Sequence, residues 1–178
     1  MTFLFNRFPK REEILSVFGG VVFIVFSWSI RGFLYIFPSL ILRHSLGETL
    51  SVLCYMLAFS LFESLFLIGG ELLVSMVLPQ KWFLEGFAYK GFISILVFTI
   101  ALIVLQDNFT NTLPPVNILY LGFAITISVI VVMFFLLDKV AVFRKTLLAI
   151  EERLQVFVYI YVPLGILGIV VVVFRNLR

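Results

Sequence analysis

Charge is scarce in this 178-residue chain: Asp, Glu, Lys and Arg together make up 13% of it, about half the usual 25% of a soluble domain. Cysteine occurs once, as Cys54, and histidine once, as His44. A lone cysteine excludes a disulfide scaffold and a CxxC redox pair. A lone histidine excludes bis-histidine haem and clustered histidine metal sites built from this chain alone. No Walker loop, GxSxG elbow, HExxH or GxGxxG is present, which removes the common nucleotide, hydrolase and zinc-protease signatures. Repeats and low-complexity segments are also missing.

What fills the space is apolar. Hydrophobic residues reach 62%, phenylalanine alone supplies 22 positions, and the mean hydropathy is +1.18. A soluble domain of this size leaves roughly a third of its unfolded-chain surface in water, so such a composition excludes a soluble class, and it equally excludes disorder. The implied class is an all-α integral membrane protein forming one domain. Strand-like alternation over ten-residue segments, the mark of an outer-membrane barrel, does not occur.

A helix needs about 20 apolar residues to cross a core roughly 30 Å thick. Five stretches qualify, over about 14–37, 49–78, 87–105, 116–137 and 154–174. A four-span reading survives only if 14–42 is not one crossing plus a cap. At 1.5 Å per residue the second stretch would reach about 45 Å, so it must tilt, kink or project beyond the core. Lys90 lies near enough to the start of the third to snorkel to the interface. A cytoplasmic N-terminus places nine Lys and Arg inside against four outside, which predicts N-in, C-out. The location implied is a bacterial or archaeal plasma membrane, with the first span acting as an uncleaved anchor and no lipidation motif.

Between spans four and five, 138–153 places Val140, Phe143, Leu147, Ile150 and Leu154 at steps of three and four. That spacing predicts a short amphipathic cytoplasmic helix with its charges mostly on the other faces. Pro9 followed by Lys10, Arg11, Glu12 and Glu13 reads as a helix start, and Phe3, Leu4, Phe5 and Phe8 before it suit a headgroup region. The 106–117 loop is polar and contains the glycosylation pattern Asn108-Phe109-Thr110, placed too close to two spans for ready access.

Three ionisable residues fall inside spans and are candidate functional positions for that reason: Arg31, Glu63 and Glu71. On a helical wheel Ser60, Glu63, Ser64, Glu71 and Ser75 share an arc of about 120°, expected to point into the protein. The two glutamates are separated by about 12 Å of rise, too far to chelate one ion together. They suit successive stations on a proton or cation path, or hydrogen bonding between helices with Glu71 after a break at Gly69-Gly70. Arg31 suits a snorkelling position near the outer headgroups. Its level disagrees with a direct pair to Glu63, because a hairpin turning near Arg43 sets Arg31 opposite Cys54 and Glu63 opposite Val22. Gly19-Gly20, Gly165 with Gly168, and Ser60 with Ser64 mark faces where helices can approach closely.

The function expected from this pattern is a non-catalytic accessory or scaffold subunit of a larger membrane protein complex. Its partners would be membrane lipids and other membrane subunits, with no nucleic acid and with bound lipid in place of a cofactor. The rival is a small oligomeric transporter or channel using Glu63 and Glu71. A third reading, a pigment- or quinone-associated subunit, rests on the aromatic load.

Overall fold

A computed structural model of the chain describes residues 8–79, 82–109 and 113–177. Among them every regular element is helical, and five helices are long and apolar enough to cross a membrane. Phe3, Leu4, Phe5, Arg7, Lys81, Thr110 and Arg178 lie outside the described residues.

The first helix, α1 (Arg11–Arg43), starts where Pro9 and the acidic pair Glu12 and Glu13 suggest, and the Glu13 carboxylate accepts a hydrogen bond from the Lys10 amide at 3.2 Å. It runs through Pro38 for 33 residues, about 50 Å. The second, α2 (Leu46–Val77), opens on a reciprocal cap between Ser45 and Glu48, a Ser-x-x-Glu signal legible in the sequence. It is continuous through Gly69 and Gly70, so the expected break before Glu71 does not occur.

The third helix, α3 (Phe87–Asn108), begins after Gly86, whose φ of 92° demands glycine. It extends through Gln106, Asp107 and Asn108, so the predicted loop is shorter than its polarity suggested. The Asn108 side chain donates to the Val104 carbonyl at 2.7 Å. The fourth, α4 (Val116–Lys139), follows the Pro114-Pro115 pair. A 14-residue helix, α5 (Ala141–Leu154), passes through a 3₁₀ turn (Gln155–Phe157) into α6 (Val158–Asn176). The helical run is therefore continuous from Ala141 to Asn176, with its apolar part in α6.

Close approach organises the middle of this bundle. A Cβ on Gly168 would lie 2.7 Å from the Cys54 carbonyl oxygen, and one on Gly165 would lie 2.8 Å from Cβ of Leu61. A Cβ on Gly19 would lie 2.6 Å from Cα of Gln155. The glycines that stand out in the sequence are thus the points where α6 meets α2 and where the 3₁₀ turn meets α1. Backbones this near leave room only for small side chains between them. The Ser29 and Ser60 hydroxyls accordingly hydrogen-bond across α1 and α2 at 2.7 Å. Beside them four rings pile up: Phe23 on Phe157 at 4.6 Å, Phe157 on Tyr161 at 5.5 Å, and Tyr161 on Phe26 at 5.0 Å.

At the other end of α2 the core widens into side chains from several elements. Val17, Val21, Val25, Ile68, Phe83, Phe87 and Ile95 form one buried cluster. Tyr89, Phe92, Ile93, Leu137 and Leu147 form the next. Arg144 of α5 reaches Tyr89 of α3, Glu151 lies beside Ser16 of α1, and Gln155 meets Gly19. The short helix therefore crosses this end from α4 over α3 to α1.

Candidate functional site

The three residues singled out by charge go to three different places. Glu63 is exposed, near the midpoint of α2, among the exposed rings of Phe59, Phe62 and Phe66. The expectation that it points inward with Ser60, Ser64 and Ser75 is corrected here, since those three serines are buried and it is not. The reason is angular. On the wheel Glu63 stands at one edge of the 120° arc, about 100° from Ser64. The buried face extends the other way, through Ile68 and Leu61, because α1 and α6 both flank that side.

Arg31 is also exposed, with its guanidinium 4.8 Å from the centre of the Trp28 ring. The Ser29–Ser60 contact places Glu63 opposite Phe26 and Arg31 opposite Ala58, one turn from the register expected for a hairpin at Arg43. The connection lies at His44 and Ser45 instead. Lys90 and Asp138 form an ion pair instead, and at the surface the His44 imidazole lies 3.6 Å from the Glu48 carboxylate.

Glu71 is the one of the three that the fold takes inside. One carboxylate oxygen accepts a hydrogen bond from the Ser94 hydroxyl of α3, and the other is buried without a partner among the described residues. Ser94 is held in turn by the Gly91 carbonyl at 2.9 Å. One turn along the same face of α3 stands Lys90.

Lys90 does not snorkel. Its side chain is 2% exposed and its ammonium lies 3.1 Å from Asp138 of α4. It also donates to the Trp82 carbonyl at 3.1 Å. The Tyr89 and Phe134 rings approach it at 5.7 and 6.0 Å. A buried ammonium is tolerated when it is paired and hydrogen-bonded, and here α3, α4 and the turn before α3 all contribute. The sequence signal that points to this pair is Asp138 in the last turn of α4, at the same end of the bundle as the start of α3.

The crossing helix α5 also departs from its expected orientation. Leu147 of the apolar stripe is buried, but Glu151 is fully buried and Arg144 half-buried, whereas Phe143 and Ile150 are exposed. The inward face is rotated toward Glu151 relative to the apolar stripe. Glu151 lies beside Ser16 and Glu13 of α1 and the neighbouring Glu152. Neither of its carboxylate oxygens has a regular hydrogen bond among the described residues. Docking of the 3₁₀ turn at Gly19 fixes the helix's rotation, and that constraint overrides hydrophobic periodicity.

Around this charged end lies a cavity of about 630 Å³ lined by Glu85, Gly86, Tyr89, Lys90, Asp138, Arg144 and Leu148. Asp138 also lines an adjoining cavity of about 280 Å³, with Trp82, Val131, Phe134 and Phe135. The Lys90–Asp138 pair therefore stands where a polar space meets an apolar one. Among the described residues no three His, Cys, Asp or Glu side chains gather as a metal-ligating set. Comparison with known protein families, with curated proteins and with solved structures finds no match for this chain.

Proposed function

We propose that this multi-pass helical chain is a non-catalytic accessory or scaffold subunit of a membrane assembly, acting by lateral helix packing and lipid contacts. Glu63 carries the reading. An ionisable side chain facing hydrocarbon near the middle of a span costs about 2.5–3.5 kcal/mol on insertion scales. A polar group on a facing helix removes that cost, and interhelical hydrogen bonds of this kind hold membrane subunits together. The three exposed phenylalanines around Glu63 give such a helix a surface to pack on. The burial pattern supports the same reading: 6% of the most apolar stretch of α4 and 11% of that of Ala141–Asn176 are covered by this chain, against 44% for α3.

The distribution of cations supports an N-in orientation. Lys10, Arg11, Lys90, Lys139, Arg144, Lys145 and Arg153 lie toward the α5 end, and Arg31, Arg43 and Arg175 toward the other. On that orientation α5 is the cytoplasmic interfacial helix, and a bacterial or archaeal plasma membrane suits the bias.

The test is purification of the full chain in mild detergent, with a photo-crosslinking residue at Phe66. The expected result is a stoichiometric crosslink to a membrane protein, lost or much reduced in Glu63→Leu. A chain that purifies alone and yields only lipid adducts would overturn the proposal. A second reading, a small oligomeric transporter, draws on the buried, half-partnered carboxylate of Glu71. It requires Glu63→Gln or Glu71→Gln to abolish proton or cation flux in vesicles while assembly stays intact, and unchanged flux in both would end it.

A further inference from the structure

The paired cavities at the α5 end have the make-up of an amphiphile site. The larger is lined by four charged side chains, two of each sign: Lys90, Arg144, Asp138 and Glu85. The smaller is mostly hydrocarbon and aromatic: Trp82, Val131, Phe134 and Phe135. Asp138 belongs to both, and its partner Lys90 is bonded to the Trp82 carbonyl at the boundary. One molecule with a charged head and an apolar tail would fill both spaces at once.

The charges narrow the headgroup. Lys90 is neutralised by Asp138 at 3.1 Å and is 2% exposed, so it shapes the wall but contributes little net field. Arg144 and Glu85 remain, one cation and one anion on the same cavity. Arg144 comes from α5 and Glu85 from the turn before α3, so the two reach the space from different elements. A guanidinium suits a phosphate, with which it forms paired charge-assisted hydrogen bonds. A carboxylate suits an ammonium that still carries N–H donors. An anionic headgroup would satisfy Arg144 and be repelled by Glu85, and a quaternary ammonium would offer the carboxylate no donor.

We propose that this bipartite cavity binds a phospholipid with a zwitterionic, primary-amine headgroup. Its phosphate lies on Arg144, its ammonium on Glu85, and one acyl chain lies along Trp82, Phe134 and Phe135. The inference rests on the membrane location proposed above but not on any protein partner. A missing Phe66 crosslink would therefore leave it standing, and a missing lipid preference would leave the scaffold reading standing.

The chain has two tryptophans, which gives a direct readout. In a Trp28→Phe background Trp82 is the only indole, and it lines the tail cavity. The full chain is placed in phosphatidylcholine vesicles containing a minor fraction of phosphatidylethanolamine, phosphatidylglycerol or phosphatidylcholine with brominated chains, and quenching of Trp82 is measured. The expected order is ethanolamine first, with an apparent affinity about fivefold above glycerol, the scale of one charge contact at a membrane surface. Glu85→Gln should bring that ratio to about one, and Arg144→Gln should weaken quenching by both lipids, neither changing helical content. Equal quenching by all three lipids, stronger quenching by phosphatidylglycerol, a preference that survives Glu85→Gln, or unchanged quenching in Arg144→Gln would overturn the proposal. Glu85 is exposed and Arg144 half-buried, and each reads a different headgroup contact, so each variant is an independent check should the other misfold.

Discussion

The middle of the bundle and its α5 end treat polar residues in opposite ways. In the middle, α1, α2 and α6 meet through Gly165, Gly168 and the Ser29–Ser60 hydroxyls, and the charge on that stretch of α2, Glu63, is turned outward. At the α5 end, Glu71, Lys90 and Glu151 are taken inside and Asp138 reaches in to pair with Lys90. The difference is one of volume. Helices whose backbones nearly touch leave no space for a long side chain and its partner. A helix that crosses the bundle end on side chains leaves polar cavities beneath it. Eight residues along α2, or about 80° around it, separate a glutamate excluded from the core from one admitted to it.

Replacing the contact that closes the middle should have the largest effect. Gly168→Leu puts a side chain where even a Cβ would sit 2.7 Å from a backbone oxygen. A loss of about 3 kcal/mol or more is expected, seen as a lowered unfolding midpoint in detergent and weaker protection of α6 in hydrogen exchange. If Gly168→Leu unfolds like the parent, the middle is not closed in the way described.

Next comes the pair at the other end, where the two partners are not equivalent. Asp138→Asn leaves a buried lysine without its counter-charge, for which about 3 kcal/mol is the expected cost. Lys90→Met leaves Asp138, whose side chain is 51% exposed, to water, so about 1 kcal/mol is expected after screening. Equal losses in thermal unfolding would mean that Lys90 is not held inside by Asp138.

The two glutamates give the smallest effects and the sharpest contrast. Glu71→Leu removes the acceptor of the Ser94 hydroxyl and should cost about 1–3 kcal/mol, whereas Glu71→Gln keeps an acceptor and should cost less than about 1 kcal/mol. Glu63→Leu, on the exposed face, should leave the unfolding midpoint of the isolated chain within about 0.5 kcal/mol of the parent. A Glu63→Leu variant as destabilised as Glu71→Leu would erase the distinction between the two regions.

Part of this organisation is legible in the residues alone. Charge starvation and five apolar runs mark the helices, and Gly19, Gly165 and Gly168 mark the close contacts that the fold makes. The candidate site is half legible. Arg31, Glu63 and Glu71 stand out because a charge interrupts an apolar run, but only Glu71 lies in the core. Lys90 and Asp138 read by position as span ends and Glu151 as the polar side of α5, although Lys90 and Asp138 pair and Glu151 is buried beside α1.

Composition and periodicity determine how many helices form and roughly where, because backbone hydrogen bonds and apolar burial are satisfied locally along the chain. They do not determine rotation. With nearly every position apolar, the wheel has little contrast to choose which face turns in. An error of one turn in the α1–α2 register, or a rotated α5, costs the pattern nothing. Tertiary contact decides that: glycines let backbones meet at fixed points, and the meeting points set which charges are buried together. The scarcity of charge therefore named the residues worth asking about, and the packing alone decided which of them lie inside.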